Sequence, residues 1–165
     1  MMPDVYVAAG SNIRPHTHLR RAIGLLRGHW PGLEVSQAYA NPAVGFEGDE
    51  FINLVLRLPA AGPLPEVLAT LHAIEVACGR EREAPRWAPR SIDLDMLLHG
   101  DTVGEFPGAV LPRPDLARRA YMLRPLAELA PDLVHPSLGQ TMAELWDAFE
   151  GRSHAMRPVS LEGED

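Results

Sequence analysis

Hydrophobic periodicity changes along this chain in an order that few folds accommodate. Val5 to Ala9 is a short apolar run ended by Gly10-Ser11-Asn12, the pattern of a buried strand entering a turn. Leu19, Ala22, Ile23 and Leu26 then recur at i, i+3, i+4 and i+7, with Arg20, Arg21 and Arg27 off that stripe and Gly28 near its end, which predicts a helix. Leu33 to Ala40 reads as a second strand, followed by an irregular stretch, Asn41 to Phe46. Phe51 to Leu58 alternates: Ile52, Leu54, Leu56 and Leu58 point one way, and Phe51, Asn53, Val55 and Arg57 the other. One face is expected in the core and the other free. A second helix starts near Pro65, carries Val67, Leu68, Leu71, Ile74 and Cys78, and stops at Gly79. Ser91 to Leu98, closed by His99-Gly100, is a further strand.

Strand, helix, strand, strand, helix, strand is the split βαβ order, so the predicted fold class is α+β, a ferredoxin-like βαββαβ sandwich with a mainly antiparallel sheet. C-terminal additions follow: Val110 to Arg113, a short turn or helix near Pro114 to Ala120, and Leu123 to Ala130. A last helix begins at Thr141, whose spacing to Glu144 fits a capping box, with Met142, Leu145, Trp146 and Phe149 as its apolar side. The tail from Gly151 is polar and expected to fray. With 165 residues, 46% of them hydrophobic, the chain is read as one domain. It has neither a long apolar run nor a secretory-type N-terminus, which predicts a soluble, cytoplasmic protein. Cys78, the single cysteine, is expected as a small buried hydrophobe.

The net charge of −7 argues against general nucleic-acid binding, which needs a broadly basic surface. All fifteen basic residues are arginines, and Arg80, Arg82, Arg86 and Arg90 crowd one stretch that has two prolines and no apolar period. Such a loop is commonly functional or disordered. It leads directly into Asp93 and Asp95. Two residues apart on a strand, those carboxylates share a face, and a hard divalent cation relieves their repulsion. Magnesium is typically held by one or two carboxylates together with substrate phosphates, and guanidinium groups bind phosphate oxygens bidentately. The histidines lack zinc-ligand spacing, and neither a Walker-type phosphate loop nor a G-x-G-x-x-G follows the first strand.

The run Arg86-Trp87-Ala88-Pro89-Arg90-Ser91-Ile92-Asp93-Leu94-Asp95, with Gly10-Ser11-Asn12, Tyr39 to Gly45, Phe51-Ile52-Asn53, Ile74-Glu75, Gly79-Arg80 and Arg119-Ala120-Tyr121-Met122-Leu123, resembles the 6-hydroxymethyl-7,8-dihydropterin pyrophosphokinases along nearly the full chain. The resemblance implies diphosphate transfer from ATP to the hydroxymethyl group of the pterin, with release of AMP, in folate biosynthesis. Asp93 and Asp95 would hold two magnesium ions. Arg80, Arg82, Arg90 and Trp87 would belong to a loop over the nucleotide, with Arg80 and Arg90 contributing to catalysis and Trp87 also reaching the pterin. Phe51 and Tyr121 would sandwich the pterin ring, and Asn53 would read its polar edge, helped by Asn41, Pro42 and Val44. Arg113 and Arg119 would reach the phosphates, and His72, Glu75, Met96 and Val110 would surround the nucleotide. The expected partners are these two small molecules, with no nucleic acid and no membrane, and a monomeric protein. Two positions depart from the family pattern. Arg113 stands where a histidine is usual, and His72 where glutamine is frequent. An arginine binds phosphate but does not donate and recover a proton near neutral pH. A single-phosphoryl kinase and a non-catalytic binding module are the rival readings, and the intact aspartate pair argues against the second.

Overall fold

Strand β4 (Phe51–Leu58) organises the sheet, pairing with three other strands along its two edges. The computed structural model describes residues 2–41, 50–79, 91–151 and 156–165. Antiparallel to β4 on one side lies β1 (Val5–Ser11), in register from Val5 against Leu58 to Ser11 against Ile52. On its other side β4 pairs with β2 (Glu34–Val35) and β3 (Ala38–Asn41). Beyond β1 lies β5 (Asp93–His99), also antiparallel, with a register shift between Tyr6 and Val7. The order is β5-β1-β4-β3, extended by β8 (Arg157–Val159) on the outer edge of β3. A separate hairpin joins β6 (Gly104–Phe106) to β7 (Ala109–Leu111). The chain is thus a mixed α/β fold on an antiparallel sheet.

Helices cover both faces. Helix α1 (Pro15–His29) buries the stripe Leu19, Ala22, Ile23 and Leu26, and α2 (Leu64–Ala77) buries Val67, Leu71 and Ile74. Both pack on Val5, Val7, Leu54, Leu56, Leu58, Leu94 and Met96. The opposite face carries Tyr6, Ala8, Val55 and Leu97 under α3 (Ala120–Leu129) and α4 (Met142–Asp147). Fully burying one such aliphatic side chain contributes about 1.5–3 kcal/mol, so neither layer is dispensable. The capping box exists as both bonds: the Glu144 amide donates to Thr141 Oγ1 (3.1 Å), and the Thr141 amide to Glu144 Oε1 (3.0 Å).

Several sequence expectations change. Gly10 and Ser11 belong to β1 rather than to a turn, since Gly10 is paired on both sides, to Asn53 and to Asp93. The strand expected over Leu33 to Ala40 is two short ones, because the Ser36 hydroxyl takes the Val55 amide (2.8 Å) where a backbone carbonyl would continue the ladder. The free face expected of β4 is core at Val55, which α3 and α4 cover. The tail does not simply fray. Beyond residues 152–155, β8 pairs with Ala38 to Ala40, and Asp165 accepts from the amides of His16 (2.7 Å) and Thr17 (3.0 Å) at the start of α1. Cys78 is buried as expected, and burial pushes its thiol pKa up.

Candidate active site

One row of the sheet runs Asp93, Gly10, Asn53, Tyr39 across β5, β1, β4 and β3, and the neighbouring row runs Asp95, Ala8, Val55. By parity these side chains face α3. On β1 the same side carries a buried tyrosine, then alanine, then glycine, so a hollow opens beyond Tyr6. Its floor is Ala8 and Gly10, and Asn41, Phe51, Asn53, Asp93, Asp95, Arg113, Asp115 and Tyr121 rise around it. The cleft measures about 320 Å³, the lower end of the range for small-molecule sites.

Gly10 has a steric reason to be glycine. A Cβ there would lie 2.5 Å from Asn53 Oδ1. The asparagine amide therefore extends over bare backbone, and its Nδ2 donates to Asn41 Oδ1 (2.7 Å). Tyr39, next in the row, is buried and donates its hydroxyl to Glu128, while Arg124 lies 4.4 Å over its ring. Burial, reinforced by the Glu128 hydrogen bond, pushes the Tyr39 pKa up to about 12, so it remains a donor. The Tyr121 hydroxyl is likewise raised, first by burial and then by the negative charges of Asp115 and Asp95.

Asp93 and Asp95 do share one face and one cleft, as their spacing requires. Between them, the Leu94 amide on the outer edge of β5 donates to Glu75 Oε2 (3.0 Å). Glu75 is buried, and its carboxylate thereby fastens the strand that bears the two aspartates to α2. The structure places it under the site rather than on its surface. His72, one turn earlier, is exposed, with Nδ1 3.8 Å from Glu75 Oε1. Met96 turns its side chain into the core under α1 and α2, on the face away from the cleft. Val110 and Arg119 are exposed and do not line the hollow. Arg80, Arg82, Trp87 and Arg90, like Pro42 and Val44, lie outside the described residues.

Arg113 enters from the segment after β7. Its amide donates to Leu97 O (2.9 Å), and its carbonyl accepts from Leu116 in the 3-10 turn Pro114–Ala117. The guanidinium sits 3.8 Å from Asp95 and 3.9 Å from Asp115. Sequence reasoning missed Ala8, Gly10 and Asp115 as site residues. The small-residue alternation on β1 was a usable signal for the first two; nothing local marks the third.

Among the described residues no group of three or more His, Cys, Asp or Glu side chains converges as a metal site. Two carboxylates on one strand face nevertheless suit magnesium, which completes its shell with phosphate and water, whereas a structural zinc site needs more protein ligands.

Comparison with known proteins identifies the family. The family model of 7,8-dihydro-6-hydroxymethylpterin-pyrophosphokinase matches residues 6–131. A 2-amino-4-hydroxy-6-hydroxymethyldihydropteridine pyrophosphokinase of Pseudomonas aeruginosa is 37% identical over 158 residues, covering 92% of this chain and 96% of that protein. The one from Synechocystis sp. is 38% identical over 143 residues, covering 84% and 72%. Among solved structures, wild-type Plasmodium falciparum HPPK-DHPS superposes with a TM-score of 0.67 at 12% identity, covering 92% of this chain, which itself spans 45% of that one. That last likeness concerns the fold alone. The family match and the extent of the bacterial alignments establish that the chain belongs to the 7,8-dihydro-6-hydroxymethylpterin-pyrophosphokinase family.

Proposed function

We infer that this chain transfers the terminal diphosphate of ATP to the hydroxymethyl group of 6-hydroxymethyl-7,8-dihydropterin, releasing AMP, in folate biosynthesis. One observation carries the reading: an aspartate pair and a hollow lined by two aromatic rings and an asparagine occupy the same cleft. Phe51 and Tyr121 offer flat faces to a planar heterocycle, and the Asn53 amide offers a donor and an acceptor to its polar edge. Asn41 holds that amide in orientation. The order β5-β1-β4-β3 supports reading the scaffold as ferredoxin-like. Among the described residues no helix is long and apolar enough to cross a membrane.

In the reaction the hydroxymethyl oxygen forms a bond to the β-phosphorus as the bond from that phosphorus to the oxygen shared with the α-phosphate breaks. AMP leaves with the electron pair, and the hydroxyl proton is released to water. Asp93 and Asp95 are the residues that would hold magnesium, with two ions expected; bound there, the metal supplies positive charge against the charge developing on the transferred phosphates. The chain's own work is alignment and electrostatics. Phe51, Asn53 and Tyr121 fix the pterin so that its side-chain oxygen points toward the aspartates, and Arg113 adds a permanent positive charge for the phosphates. Arg80, Arg82, Arg90 and Trp87 are assigned to the nucleotide on their motif alone, with Arg80 and Arg90 offsetting charge on the moving phosphates. Arg119 is assigned beside them.

Identifying the nucleotide product tests the proposal. Incubated with ATP, magnesium and the reduced pterin, the protein should release one AMP per pterin consumed, measured by chromatography. Stoichiometric ADP would replace this reading with a single-phosphoryl kinase. Pterin binding without any nucleotide product would leave a non-catalytic binding module.

A further inference from the structure

Arg113 is held at two ends and left open in the middle. Its backbone is fixed between Leu97 and the 3-10 turn. One terminal nitrogen faces Asp95 at 3.8 Å and the other faces Asp115 at 3.9 Å, while the buried Nε between them has no hydrogen-bond partner among the described residues. Neither contact is the tight pair of about 2.8 Å that a committed arginine–carboxylate bond adopts. The guanidinium is instead shared between two acids on different elements, Asp95 on β5 and Asp115 in the 3-10 turn. Asp115 in turn is fixed in place, because its carbonyl accepts from the Arg118 (3.0 Å) and Arg119 (2.9 Å) amides.

An arginine keeps its charge at any ordinary pH, so a divalent cation arriving beside Asp95 meets a positive group that cannot be neutralised in place. It can only be moved or matched. We propose that Arg113 is a resident counter-cation of Asp95 before metal binds, and that Asp115 is a positioning residue that draws the guanidinium aside when a divalent cation takes up Asp93 and Asp95. The inference rests on the reading of those two residues as metal ligands. Asp115 then has no direct metal contact; it lowers the electrostatic cost of loading the site. It also leaves Arg113 turned from the carboxylate pair and free to meet phosphate.

Titration of the full-length protein with Mn2+ alone, followed by electron paramagnetic resonance without nucleotide, separates these roles. Asp115→Asn should weaken Mn2+ binding about tenfold, since Arg113 then stays on Asp95. Arg113→Gln should tighten it, and in the Arg113→Gln background Asp115→Asn should change little. Asp115→Glu, which keeps the charge, should recover most of the affinity, and circular dichroism confirms that each variant is folded. Equal weakening by Asp115→Asn in both backgrounds would overturn the proposal and make Asp115 a bare charge or a ligand in its own right. So would Mn2+ binding indifferent to Arg113. Unaltered Mn2+ binding in Asp93→Asn and Asp95→Asn would remove the metal reading beneath it. Failure of diphosphate transfer alone, with this coupling intact, would count only against the proposed reaction.

Discussion

The side of the sheet that faces α3 is a closed core at one end and a cleft at the other, on the same three strands. At the closed end Tyr6, Val55 and Leu97 pack under Leu123, Leu126 and Met142. Two to four residues along each strand, at the same parity, stand Ala8 and Gly10, Asn53 and Phe51, and Asp95 and Asp93. Backbone pairing runs through both ends, with one register shift between β1 and β5; what differs is the size and charge of every second side chain. The site is therefore not an addition to the fold. It is the stretch of a core face where, except at Phe51, large apolar residues are replaced by small and polar ones, on strands anchored by the closed end.

The largest expected effects fall on opposite observables at the two ends. Asp93→Asn and Asp95→Asn should each lower turnover at least a hundredfold, the ~3 kcal/mol typical of losing one preorganised electrostatic contact, while changing stability by no more than about 0.5 kcal/mol. Turnover against magnesium concentration, with urea unfolding of each variant, checks both halves. Leu97→Ala, at the closed end, should show the converse: a loss of about 2–5 kcal/mol in stability from a fully buried side chain, with turnover per folded molecule close to that of the parent protein. Comparable loss of stability at both ends would break the distinction.

Asn53→Ala and Gly10→Ala sharpen it within the cleft. Removing the Asn53 amide should weaken pterin binding by about 1–3 kcal/mol and barely affect nucleotide binding, as calorimetric titration of each ligand would show. Equal losses for both ligands would mean that the pterin side is misassigned. Gly10→Ala forces a methyl against Asn53 Oδ1, so it should reproduce the Asn53→Ala selectivity with an added stability cost of about 1–3 kcal/mol from overpacking.

The smallest effect concerns the loop between α3 and α4. His135 is buried, and its Nδ1 accepts from the amides of Ser137 (3.2 Å) and Leu138 (3.1 Å). Burial lowers its pKa below the ordinary 6.5. The neutral form is therefore favoured by folding, and its contribution is fully present above about pH 6.5 and lost as pH falls through the lowered folded value. His135→Asn keeps an acceptor and cannot titrate, so it should remove this part of the pH dependence. Urea unfolding at pH 7 and pH 5 should show a smaller acid loss of stability than in the parent protein; an equal loss would place the acid sensitivity elsewhere.

How much of this is legible in the sequence depends on which features are local. The faces of β4 and the meeting of Asp93 with Asp95 follow from strand parity alone, and both can be read directly. Parity also places Met96 opposite Asp95, so its burial away from the cleft is available from the same rule. Gly10 reads as a turn residue because Gly-Ser-Asn resembles one, whereas its role is to leave room for an asparagine on another strand. The core at Val55 is supplied by helices more than sixty residues later in the chain. Asp115 is indistinguishable from a surface acid until the 3-10 turn brings it beside Arg113. Strand β8 is three residues in a polar tail, and its pairing comes from the open edge of β3.

The claim that one end of this sheet face is the site and the other its support is tested most directly by locating the ligands on the strands. Backbone amide shifts can be recorded by NMR as the reduced pterin, and then a non-hydrolysable ATP analogue with magnesium, are added. The largest shifts should fall at Ala8, Gly10, Asn53, Asp93, Asp95 and Tyr121, with the amides of Tyr6, Val55 and Leu97 nearly unmoved. Largest shifts at those three closed-end positions, or around the separate cleft of Arg14, His16 and Arg157, would contradict it.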